Sequence, residues 1–139
     1  MTQIHKAFRP FFPVAAILVA VLAVGCASGA AVVTGDMSYE ELVQRAQEAS
    51  DAYRHEAALD YYAAALERFG SDPAIKVACD YEIAFLQYKT GDYESAAAGL
   101  SSVVARYDAP GGESLPPQYR ILAAKVLPTV LGHMAGGEE

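Results

Sequence analysis

Two patterns divide the chain. From Val14 to Gly25 the residues read "VAAILVAVLAVG", without a charge or a strong polar group, whereas from Ser38 onward apolar positions recur at three- and four-residue spacing among polar ones. The second pattern is that of amphipathic helices. "SYEE" from Ser38 places Glu41 three residues after a serine, a capping-box arrangement in which each side chain satisfies a backbone donor, and it predicts a helix from about Tyr39 to Ala52. A second helix from about His55 shows Ala58, Leu59, Tyr62, Ala65, Leu66 and Phe69 on one side and stops at Gly70. "SDP" at 71–73 offers a cap and a first-turn proline to a third helix ending near Gly91. Asp92 can cap a fourth, which closes before "DAPGGESLPP". A fifth begins near Pro116 or Pro117 and is expected to end or kink before Pro128, because proline removes a backbone donor and clashes with the preceding turn. The expected fold is all-α, about five helices over 38–135, with a disordered tail at 136–139.

The helical part repeats itself. A shift of 38 residues lays Ala46 on Ala84, Glu56 on Glu94, Ala58 on Ala96 and Arg68 on Arg106, and it places "ALERFG" over "VVARYD". The same shift puts Tyr119 and Ile121 on Tyr81 and Ile83, so "QYRILA" opens a third, incomplete unit. A fixed period of this length marks stacked supersecondary units, none of which can bury its apolar face alone. Ala46, Ala58, Ala84 and Ala96 are expected where helices approach closely. Leu66, Ile83, Leu86, Leu100, Val103 and Val104 are expected to fill the space between.

"YEIAFLQYKTGDYESAAAGLSSVVARYD", Tyr81 to Asp108, resembles a tetratricopeptide (TPR) repeat. Ala84 stands at the small position of the first helix, "GDY" at 91–93 is the turn, and Ala96 is the small residue of the second. "AALDYYAAALERFGSDP" looks like the second helix of a preceding unit, in which Tyr53, Arg54 and His55 occupy the place of "GDY". The resemblance covers about residues 39–127. It implies a short α-α superhelix whose concave surface, lined by the first helix of each unit, binds segments of other proteins. The matching positions are Gln47 and Ser50, then Tyr81, Phe85, Tyr88 and Lys89, with Ala123 and Val126 in the third unit. Tyr81, Phe85 and Tyr88 share one helix face by their spacing, and such a stripe serves either as core or as binding surface. The basic-plus-Asn clamp of carboxylate-binding TPR domains is absent, since Glu82 stands where one Asn would be.

Ahead of the domain, Lys6 and Arg9 precede the apolar run, and small residues follow it, which is the layout of a secretory signal. "AVGC", ending on Cys26, resembles the lipobox of bacterial lipoproteins, with Ala23 where Leu is usual. The resemblance implies removal of residues 1–25, attachment of a diacylglyceryl group to Cys26, and a flexible tether over 26–37. It also implies a cell-envelope location, at the periplasmic side of the outer membrane. Two alternatives are ordinary signal cleavage around "CASGAA" and an uncleaved membrane helix from Phe11 to Val33.

From Cys26 onward eight Lys and Arg face 17 Asp and Glu, a net charge of −9 that would repel a nucleic-acid backbone. Cys26 and Cys79 are the only cysteines; one disulfide is conceivable, and otherwise Cys79 reads as a small apolar side chain in a helix. His5, His55 and His133 share no helical face with a carboxylate at ligand spacing, "PGGES" lacks the strand and lysine of a phosphate loop, and no serine has a recognisable base. The expectation is a non-enzyme with no catalytic residues, no metal and no cofactor beyond the lipid. Its expected role is an envelope scaffold or adaptor for a protein partner, in one version an accessory subunit of an outer-membrane assembly or transport system. A small-ligand carrier or enzyme is the reading of a different class. Self-association through an exposed terminal repeat face is a further expectation.

Overall fold

A computed structural model describes residues 29–136, and every regular element within them is helical. The elements are α1 (Tyr39–Asp51), α2 (His55–Phe69), α3 (Pro73–Thr90), α4 (Tyr93–Arg106), a single 3-10 turn (Gly112–Ser114) and α5 (Pro117–Gly136). Consecutive helices pack on one another in sequence, and α3 also touches α5.

Local chemistry starts and stops these helices where the residues predict. The Ser38 side chain accepts from the Glu41 N–H while Glu41 accepts from the Ser38 N–H, closing the capping box of α1. Asp72 accepts from the N–H groups of Ala74 and Ile75 at the start of α3, where Pro73 occupies the first turn. Asp92 caps α4 through the Ser95 N–H.

The 38-residue repeat is visible in the backbone. In the α3–α4 turn the Asp92 N–H donates to the Gln87 carbonyl at 2.9 Å, and in the α1–α2 turn the Arg54 N–H donates to the Ala49 carbonyl at 2.8 Å. Both turns need a left-handed residue. The second uses Gly91 (φ 84°), and the first places Tyr53 (φ 58°) in that conformation, which costs a side chain about 1 kcal/mol.

Two apolar clusters form the core, and α3 serves both. Leu42, Ala46, Ala58, Tyr62 and Ala65 meet Cys79 and Leu86 on one side of α3. Val77, Tyr81 and Ala84 meet Ala96, Leu100, Val103, Ala123 and Val130 on the other. The four alanines expected at close approaches are all buried. Leu66, Ile83 and Val104 are half-buried and pack against the edges of these clusters. Gly99 extends the close contact of α3 and α4, since a methyl group there would stand 2.7 Å from the Ala84 Cβ.

Two expectations are corrected. Of the end or kink expected before Pro128, the end does not occur, since α5 continues to Gly136. The proline ring and Ala124, whose carbonyl loses its bond, both face solvent, while Val130 beyond them is fully buried and holds the later turns against the domain. The described part of the tether, 29–37, is fastened rather than free. The Val32 N–H donates to Tyr61 Oη at 3.0 Å, and the Arg68 guanidinium donates to the carbonyls of Thr34, Gly35 and Met37. Ala31 and Met37 also pack against the first cluster. Of the expected tail, Gly136 is the last residue of α5, and 137–139 lie outside the described residues.

Candidate functional site

The first helices of successive units meet at two junctions, and they are built differently. Between α1 and α3 lies an open groove of about 290 Å³, lined by Gln47, Ser50 and Asp51 from α1, Tyr62 from α2, and Glu82, Phe85, Leu86 and Lys89 from α3. Lys89 Nζ donates to Ser50 Oγ at 3.2 Å, linking the two helices. Between α3 and α5 the corresponding space is filled by rings. Tyr81 lies 5.6 Å from Tyr119 and stacks with Phe85 at 6.0 Å, Tyr88 lies 6.0 Å from His133, and His133 stacks on Tyr93 at 4.7 Å.

This division separates the residues that the repeat pattern groups together. Phe85 and Lys89 line the groove, as do Gln47 and Ser50. Tyr81 is a core residue with 5% of its surface exposed, so its nomination as a binding residue is corrected: α5 lies over that side of α3 and encloses the ring. Tyr88 is half-buried and turns toward Tyr93 and His133. Ala123 is fully buried and Val126 half-buried against the second cluster, so neither lines a concave surface. Glu82, Tyr62 and Asp51 are groove residues that the sequence reading leaves out. For Glu82 the signal is present, because it precedes Phe85 and Lys89 by three and seven residues and so shares their face.

Electrostatically the groove is a half-buried acidic site. Burial raises the Glu82 carboxyl above its ordinary range, and the nearby Lys89 pulls it partly back. Among the described residues Glu82 forms none of the salt bridges, which join Arg45 to Glu48, Lys76 and Arg106 to Asp80, and Arg120 to Asp108. Burial likewise raises the hydroxyls of Tyr62, Tyr81 and Tyr119 and pushes Tyr39 up to about 12, with the Glu82 charge adding to each. The free, buried Cys79 thiol is pushed up to about 11 by its burial, so at neutral pH it is a protonated packing group rather than a nucleophile.

Cys26 lies outside the described residues. Residues 29–33, which close the apolar run from Phe11, are not helical, and no described helix is long and apolar enough to cross a membrane. The described residues hold no group of three His, Cys, Asp or Glu side chains placed for a metal ion.

No protein-family profile matches this chain, and no solved structure matches it. A Treponema pallidum (strain Nichols) protein, itself described as uncharacterized, is 31% identical over 94 residues. The match takes in 68% of this chain but 38% of the relative, so the chain spans well under half of that protein's length.

Proposed function

We propose that this chain is a lipid-anchored protein-binding module of the cell envelope, a short TPR-like superhelix whose α1–α3 groove docks a segment of another protein. The observation that carries the reading is the groove itself. Two successive units contribute Gln47, Ser50, Phe85 and Lys89 to one open cleft, the helices on which the TPR resemblance places partner contacts. Its volume lies at the small end of the range for cavities that enclose small molecules, and it is open along one side. That shape suits a few side chains of an extended segment better than an enclosed metabolite. An accessory role in outer-membrane assembly or transport is the more specialised form of the same reading and would use the same groove.

The anchor in this reading is acylated Cys26, since several acyl chains hold a protein on a bilayer where one does not. The fastened linker then matters. With Ala31 packed against the first cluster and Val32 bonded to Tyr61, at most five residue steps separate Cys26 from the fastened segment, a reach of about 17 Å. The domain would sit close to the membrane surface.

A photo-crosslinking residue placed at Gln47 in cells should yield an adduct with a second protein, whereas one at exposed Tyr53, on the outer turn, should not. Equal adducts at both positions, or none at Gln47, would contradict the groove. Fatty-acid labelling of wild type and Cys26→Ser tests the anchor, which predicts label only in the wild type.

A further inference from the structure

We propose that the groove selects a partner segment by a basic side chain, with the Glu82 carboxylate as its counter-ion and the Phe85 ring as the surface for its aliphatic stem. This rests on the groove being a docking place, as proposed above, and adds the chemistry of its occupant.

Three observations on the groove point to a cation. Glu82 is half-buried on the groove wall and belongs to none of the ion pairs among the described residues. Burial without a paired charge disfavours the ionised carboxyl, which an incoming ammonium or guanidinium would relieve. Lys89, the one cation on the groove wall, reaches across to Ser50. Asp51 adds a second carboxylate to the lining, so the cleft has negative charge to spare within a chain of net charge −7. Finally, Phe85 and the Tyr62 ring give the site an aromatic wall beside its carboxylate. Lys and Arg are the side chains that combine a long apolar stem with a cationic head, and both are attracted to ring faces. An acidic or C-terminal carboxylate ligand meets repulsion in the same place.

A random-peptide display library panned on the full chain tests this. The enriched peptides should share a Lys or Arg, and its replacement by Met should weaken binding about tenfold, the scale of a hydrogen bond to a charged group. Glu82→Gln, nearly isosteric, should weaken the parent peptide to a similar extent, and against that variant the Lys-to-Met change should make little further difference. Circular dichroism confirms that the variant is folded. Peptides that lose affinity on Phe85→Ala but not on Glu82→Gln would overturn the counter-ion role and leave the groove standing. If no peptide is enriched, or binding is indifferent to both substitutions, the groove and its selectivity fall together.

Discussion

The α1–α3 and α3–α5 junctions share one helix, yet the first is an open polar cleft and the second is closed by aromatic rings. The difference lies in what the flanking helices bring. Helix α1 presents Gln47, Ser50 and Asp51 to α3, while α5 presents Tyr119 and His133, which complete a ring cluster with Tyr81, Tyr88 and Tyr93. A filled junction contributes to stability, and a polar open one contributes little. Both sides of α3 are thus backed by an apolar cluster, but only the α3–α5 junction is closed by rings, while the α1–α3 junction stays open above its core.

The largest expected effect lies in the filled junction. Tyr81→Ala removes a buried ring and should destabilise by about 3 kcal/mol, lowering the melting temperature by about 15 °C in a domain of this size. Lys89→Ala, on the groove side of the same helix, should cost no more than about 0.5 kcal/mol. Comparable losses in denaturant titrations would erase the distinction between the junctions. On the face that α3 turns to α4, Gly99→Leu forces a side chain against Ala84 and should cost about 2 kcal/mol; unchanged stability would mean the two helices stand farther apart.

The two inter-helix turns allow a smaller test of opposite sign. Gly91→Ala puts a Cβ at φ 84° and should cost about 1 kcal/mol. Tyr53→Gly relieves the same strain at φ 58° in an exposed residue, and should stabilise by about 0.5 kcal/mol once the added freedom of the unfolded chain is subtracted. Parallel changes in both variants would break the equivalence of the repeats.

Glu82→Gln should show its effect through pH. Burial raises the folded-state pKa of Glu82 above its ordinary value of 4.5, so the folded chain holds that proton more tightly than the unfolded one. Stability from this group is therefore greatest below 4.5 and falls as pH rises through the raised folded value. The tyrosines around it, raised further by burial, titrate far above this window. The variant should melt higher than wild type at neutral pH, and the gap should close in acid; a constant gap would place the cause elsewhere.

The helices were legible because their starts and stops are local: Ser38 with Glu41, Asp72 with Pro73, and Gly91 with Asp92 each satisfy backbone groups within a few residues. The partition of the α3 aromatic stripe was not, because Tyr81, Phe85 and Tyr88 share one face in sequence. Only the positions of α1 and α5 decide which ring is enclosed. Pro128 misled for a related reason, since the penalty it carries is local while the contacts that offset it, at Val130 and His133, are tertiary. The fastening of residues 32–37 left no pattern to read, because Arg68 bonds to backbone carbonyls, which every residue has. In the groove, Phe85 and Lys89 were legible through the repeat, whereas Glu82 was noted only as a missing Asn.

Amide hydrogen exchange of the full chain, with and without a groove-selected basic peptide, tests the central claim most directly. Added protection is expected in α1 and α3, centred on Gln47–Asp51 and Glu82–Lys89, with none along α5. Protection along α5, or none in α1 and α3, would contradict it.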